Sequence, residues 1–173
     1  MLSLRQSLSL NNIKTVGGSW QPSDETGLEA WYKFQTRITL NGFAVSNWGD
    51  SSSNSFDMIQ LDASEQPDYN SGNIDFRASN TQNLQSVSDI TLSGAFTIGI
   101  KLEPHISNVA VLSSNTEPNE FFKITSDTNL RFKTDDNQVD LAIDSGTFVA
   151  DLDLVITRNA SNLITLYVNG VAQ

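Results

Sequence analysis

Apolar side chains recur at every second position along most of this chain, in short runs broken by Asn, Asp, Ser and Gly. In AFTIGIKL the alternation puts Phe96, Ile98, Ile100 and Leu102 on one face. FFKI does the same for Phe122 and Ile124, and LRF for Leu130 and Phe132. QVDLAI aligns Val139, Leu141 and Ile143 while Gln138 and Asp140 face away. DLDLVITR aligns Leu152, Leu154 and Ile156 against Asp151 and Asp153, and LITLYV aligns Ile164, Leu166 and Val168. A period of two is that of a strand, so the pattern predicts antiparallel strands with one face in a core and one in water. Helical periodicity is almost absent. The connectors TSDTN, TDDNQ, DSGT, RNASN and NG are made of residues that favour Asx and tight hairpin turns. Strands spaced by roughly 8 to 12 residues point to a sandwich or a barrel.

The remaining bulk properties exclude several classes of function. With 173 residues, 38% of them hydrophobic, the chain is long and apolar enough for one domain with a real core. No apolar run approaches the length that crosses a bilayer. Without cysteine there are no disulfides, thiolate metal sites or cysteine nucleophiles. Twenty acidic against ten basic side chains give a net charge of −10, the wrong sign for neutralising nucleic-acid phosphates or an anionic membrane. The opening MLSLRQSLSLNN has no continuous apolar run and no small-residue cleavage site, so it reads as neither signal peptide nor anchor. With Met1 in place, it fits a product made in a cytoplasm and assembled from there.

Three stretches depart from the regular pattern. Residues 1–19 form an arm, with Leu2, Leu4, Leu8 and Leu10 sharing one parity and TVGGS as a flexible joint. Leu4 and Leu8 also share a helix face, so strand and helix both stay open for the arm. Residues 20–173 form the domain. Within it, Ser46 to Asn73 is loop-like, with only FDMIQL apolar between polar stretches; loops at the edge of a β scaffold commonly carry binding residues. At the other end, Asn169-Gly170 is a hairpin signal followed by only Val171, Ala172 and Gln173, too few for a return strand. The last strand is therefore expected to leave an unfinished edge, to be completed by another segment or subunit.

WQPSDETGLEAWYKF (Trp20 to Phe34), VSNWGDSSSN (Val45 to Asn54), GAFTIGIKL and LDLVITRNASNLITLYVNGV occur in an order that resembles the concanavalin A-like, laminin-G-like jelly rolls of bacteriophage virion proteins. The first resembles their opening strand. The second resembles their Trp-x-Asp-x-Ser-Gly-Asn loop, with Ser53 where Gly is usual, so the turn there is expected to differ. The third and fourth resemble a central strand and the late hairpin ending in Tyr-Val-Asn-Gly, after which family members usually continue. The resemblance covers about residues 20 to 173. It implies an all-β fold, a two-sheet antiparallel jelly-roll sandwich with an extended N-terminal arm. It also implies a non-enzymatic virion structural protein, made in the host cytoplasm and exposed on the particle surface as capsid decoration or as part of a tail fibre. The implied partners are other virion proteins, further copies of the chain and a surface glycan, with no nucleic acid and no membrane. Leu2, Leu4, Leu8 and Leu10 are the expected docking residues.

Side chains suited to chemistry are few. Glycoside hydrolysis needs two carboxyl groups at a set separation, and the superfamily's Glu-x-Asp-x-x-Glu pattern is missing here. Asp151 and Asp153 are the nearest imitation, on a face that should be solvated. His105, the only histidine, follows Pro104 in a turn-like stretch that suits a surface loop better than a catalytic triad. No catalytic residue is expected. Calcium is the one metal implied, because it takes loop carboxylate and carbonyl oxygens; Asn47, Asp50, Asn54 and Asp57 are the candidate ligands, although such residues also cap turns. The alternative function is lectin-like glycan binding through Trp48, Asp68, Tyr69 and Asn70, an aromatic face beside polar groups that orient hydroxyls. Trp48 equally fits a plug packed under its own loop, and Trp20 and Trp31 fit the core. Asn159-Ala160-Ser161 matches a glycosylation acceptor and reads as a hairpin turn.

Overall fold

The computed structural model describes residues 21–77, 80–103, 110–114, 121–126, 128–134, 137–143 and 152–173. The predicted arm with Leu2, Leu4, Leu8 and Leu10, and likewise Trp20, His105 and Asp151, lies outside the described residues. Among the described residues the regular structure is fourteen strands and one turn of 3-10 helix, Pro22–Asp24, with no α-helix; every strand pairing is antiparallel. The chain divides into two compact units, one reaching to Leu92 and one starting at Ser93.

The first unit is built on short strands: β1 (Ile38–Asn41), β2 (Ala44–Trp48), β3 (Met58–Ile59), β4 (Asp68–Asn70), β5 (Asn73–Asp75) and β6 (Gln85–Ser86). They form one sheet in the order β5-β4-β2-β3-β6, with β1 also paired to β2. Two tight turns shape it. Asn41 pairs with Ala44, so β1 and β2 close through Gly42-Phe43 with Gly42 at φ 66°. Asn70 pairs with Asn73 across Ser71 (φ 52°) and Gly72 (φ 93°), the left-handed pair that matches strand twist in a two-residue hairpin. A Cβ at Gly72 would run into the Gln35 amide and come within 3.1 Å of the Phe34 ring. Trp31, Tyr32, Val45 and Pro67 are buried here, together with two polar side chains, Asp50 and Gln66. Gln66 is satisfied: its amide donates to the Gln60 carbonyl (2.8 Å) and its oxygen accepts from Asn41 Nδ2 (3.2 Å).

Two expectations need correction in this unit. The segment read as an opening strand holds no strand over its described part, residues 21–34. Its backbone groups bond to the Trp48 loop instead of to a ladder, as set out below. The stretch Ser46 to Asn73, read as loop, contains the end of β2, all of β3 and β4, and the start of β5. Strands of two or three residues are too short for alternation to reveal them.

The second unit follows the sequence pattern closely. Its strands are β7 (Phe96–Leu102), β8 (Ala110–Ser113), β9 (Phe121–Ser126), β10 (Asn129–Thr134), β11 (Asn137–Ala142), β12 (Leu152–Arg158), β13 (Ile164–Val168) and β14 (Val171–Ala172). They form two four-stranded sheets, β11-β10-β9-β8 and β14-β13-β12-β7. Phe122, Ile124, Leu130 and Phe132 from the first, with Ile143 just beyond β11, and Leu152, Leu154, Ile156, Leu166 and Val168 from the second, share one buried cluster. Phe96 of β7 and Phe132 of β10 meet across it with ring centroids 6.1 Å apart. These are the residues that the alternation aligned, and the result is a β-sandwich with an apolar interior. Each fully buried side chain of this size contributes roughly 1.5–3 kcal/mol.

The final hairpin also corrects the reading. Asn169 (φ 50°) and Gly170 (φ 83°) make the expected turn, and the three residues after it do return. Val168 pairs with Val171, Tyr167 with Ala172, and the Gln173 amide donates to the Leu166 carbonyl (2.9 Å). Counting residues underestimated the return, because a two-residue turn places Val171 directly opposite Val168 and needs no further length to start a ladder.

Candidate functional site

The Trp48 loop is the most interconnected part of the first unit, and its centre is Asp50. The side chain is 1% exposed. Its Oδ1 accepts from the amides of Trp31 (2.8 Å) and Ser52 (2.8 Å), and its Oδ2 from the Ser52 hydroxyl (2.5 Å) and the Phe56 amide (3.0 Å). Burial alone pushes the Asp50 carboxyl up; the four donors outweigh it and hold the group below the usual carboxylate range. Around this centre Ser51 N donates to Trp31 O (2.7 Å) and Asn54 N to Ser52 Oγ (3.2 Å). Asn54 Nδ2 donates to the carbonyls of Leu28 (3.0 Å) and Glu29 (2.9 Å). A loop and an irregular segment thus satisfy each other's backbone groups, which is why residues 28–31 need no strand partner. The left-handed residue of the loop is Ser55 (φ 59°), not Ser53, so the turn is built differently where Ser replaces the expected Gly.

The four candidate calcium ligands are not arranged as one oxygen cage. Asp50 and Asp57 come together, but Asp57 Oδ1 accepts the Asp50 amide (2.8 Å) and pairs with Arg37 Nη2 (3.6 Å). A cation would have to compete with donors for both Asp50 oxygens and for Asp57 Oδ1. Asn54 turns its NH2 to the 28–29 carbonyls. Asn47 lines a surface cleft of about 550 Å³ with Arg37, Ile38, Thr39, Gly49 and Asp57. Among the described residues no three acidic or histidine side chains converge.

Trp48 is half-buried. Its ring lies 5.6 Å from the Tyr32 ring, tilted by 55°, and its Nε1 donates to the Lys33 carbonyl (3.2 Å). Tyr32, 7% exposed, donates its hydroxyl to the Phe56 carbonyl (2.5 Å). Burial first, then the neighbouring Asp50 and Asp57 charges, push the Tyr32 phenol up to about 12. The other three candidate glycan residues sit elsewhere. Asp68 pairs with Ala44, at the opposite end of β2 from Trp48, about 13 Å away at the rise of a strand. Asp68, Tyr69 and Asn70 are consecutive on β4, so Tyr69 faces the other way from its two polar neighbours. Asp68 is paired with Arg77 Nη2 (3.1 Å).

In the second unit, Asp153 lies opposite Lys101 in the β12–β7 pairing, and its amide donates to Asn169 Oδ1 (3.0 Å). Its Oδ1 is shielded from solvent without a hydrogen-bond partner. Two features of the first unit escaped the sequence reading. Arg37 is left-handed (φ 56°) and tied to the loop by Gly49 N (2.8 Å), with no residue type to announce it. Phe43 stands 89% exposed at the β1–β2 tip; here the signal was present, because Asn41-Gly42 is the same dipeptide as Asn169-Gly170. No protein-family model, curated protein or solved structure matches the chain.

Proposed function

We propose that the protein is a non-enzymatic structural component of a virus particle of the bacteriophage kind, exposed on the particle surface as capsid decoration or as part of a tail fibre. The observation that carries the non-enzymatic half is the employment of the Trp48 loop. Asp50, Asn54 and Asp57, the side chains that would otherwise be free for acid–base or metal chemistry, spend their hydrogen bonds on backbone. The virion half is supported by the order of the four motif stretches, an analogy at the level of fold. In this reading the β-structure is a stable, acidic outer surface, and residues 1–19 anchor it through Leu2, Leu4, Leu8 and Leu10. Quantitative mass spectrometry of purified particles is the direct test: the chain is expected at a fixed, stoichiometric copy number, and its absence overturns the reading. Deleting residues 1–12 is expected to abolish incorporation; normal occupancy removes the arm as anchor. Turnover of any polysaccharide by the purified chain overturns the non-enzymatic half. Glycan binding lost with Trp48→Ala in a folded protein supports the lectin-like alternative instead.

A further inference from the structure

We infer that the tip of the β1–β2 hairpin is a docking point for a protein surface that offers an apolar pocket rimmed by Lys and Arg side chains. This deepens the structural-component reading and rests on it. Phe43 is 89% exposed, and Leu40, two residues before the turn, is 44% exposed. The tip is nevertheless held firmly. Gly42 supplies the left-handed turn, Tyr69 N donates to the Phe43 carbonyl (2.8 Å) and Val45 N to the Pro67 carbonyl (2.8 Å), so β4 braces the tip from its side. Tyr69 lies directly across from Ile74 in the β4–β5 pairing, so these two share a face beside the braced tip. Phe43 itself, on the turn, is a nearly naked aromatic ring. A large ring presented on a braced backbone loses little freedom on docking and is the residue type that dominates interface energetics.

Charge decides what sits on it. Residues 21–92 carry ten acidic and three basic side chains. Two of the three, Arg37 and Arg77, are paired with Asp57 and Asp68, and Lys33 lies over the Trp31 ring at 5.3 Å. Ten acidic against three basic side chains leave residues 21–92 with a net charge of −7. A second copy would bring −10 against −10, and nucleic acid or an anionic membrane would be repelled in the same way. A pocket with a basic rim is the complementary surface.

The test uses the full chain and virus particles assembled without it, with bound protein measured by co-sedimentation. The wild-type chain is expected to bind, with affinity falling as salt rises. Phe43→Ala is expected to bind about 30-fold more weakly, the size of a central aromatic truncation. Circular dichroism and Tm should be unchanged, since the side chain touches little. If wild type binds and Phe43→Ala binds as tightly, or binding is indifferent to salt, the hairpin-tip inference is overturned while the structural-component reading stands. If wild type does not bind the particles, that reading falls and the inference with it. Dimers seen by sedimentation velocity, or binding to phosphatidylcholine vesicles, overturn the inference if either is lost with Phe43→Ala.

Discussion

The two units of this chain reach stability by different means. The second carries ten buried apolar side chains among its described residues, nine of them on strands of five to seven residues, and their alternation is the fold. The first has strands of two to five residues and buries few apolar side chains, but it contains the two buried polar ones found among the described residues, Asp50 and Gln66. Its architecture is written in side-chain-to-backbone hydrogen bonds centred on one carboxylate. The contrast separates a hydrophobic sandwich, which tolerates loss of any one polar contact, from a hydrogen-bonded knot, which tolerates almost none at its centre.

The sharpest way to break the contrast is to attack each centre in turn. Leu154→Ala removes a side chain 1% exposed from the sandwich and is expected to cost about 2–5 kcal/mol in a denaturant melt. Asp50→Ala leaves three backbone amides and a hydroxyl without their acceptor and is expected to cost about 3 kcal/mol, with Asp50→Asn intermediate. The two losses should be told apart by probe. Trp31 and Trp48 lie in the first unit and no tryptophan follows Trp48, so tryptophan fluorescence reports on that unit and not on the second. Asp50→Ala should shift the fluorescence transition, and Leu154→Ala should not shift it alone. Equal shifts in both variants would show that the units unfold as one.

This difference also explains what was legible. Leu152, Leu154 and Ile156 announced β12 because seven residues give the period of two room to repeat. Met58 and Ile59 could not announce β3, and nothing in Asp68-Tyr69-Asn70 distinguishes a strand from the loop it was read as. Asp50 and Asn54 were found as a motif with two readings, calcium ligands or turn caps, because sequence gives the ligand type and not the partners the groups already have. Their hydrogen-bond partners in the structure include backbone groups some twenty residues upstream, Asp50 with Trp31 and Asn54 with Leu28 and Glu29, and a backbone group has no residue-type signature.

Alkaline titration sharpens the comparison with a slightly smaller effect. Tyr32 is raised from the ordinary phenol value of 10.0 to about 12 by burial and by the Asp50 and Asp57 charges. A raised folded pKa means that its contribution is complete below pH 10 and is lost as pH climbs toward 12, about 2 to 3 kcal/mol in all. Tyr32→Phe should remove this alkaline loss from the fluorescence transition. An unchanged alkaline limb in Tyr32→Phe would mean that the phenol is not held in the knot as described.

The smallest effect comes from comparing two aspartates that share a direction but not a cause. Asp140 is held below the usual carboxylate range first by the bonds from Arg131, directly opposite it on β10, whose Nε and Nη2 lie 2.5 and 2.9 Å from its two oxygens. Asp50 is held low by the Ser52, Trp31 and Phe56 donors against the opposing pull of burial. In both, the lowered folded pKa makes the contribution complete above the unfolded value near pH 4 and lost as pH falls through the lower folded one. Only Asp50 is shielded from solvent. Asp140→Asn should therefore change the acid limb slightly at low salt and not at all at high salt, because exposed pairs are screened. Asp50→Asn should change the acid limb of the fluorescence transition at any salt, since no counter-ion reaches a carboxylate enclosed by four protein donors. A salt-insensitive loss in Asp140→Asn would place polar organisation in the sandwich as well, and the division of labour between the two units would fail.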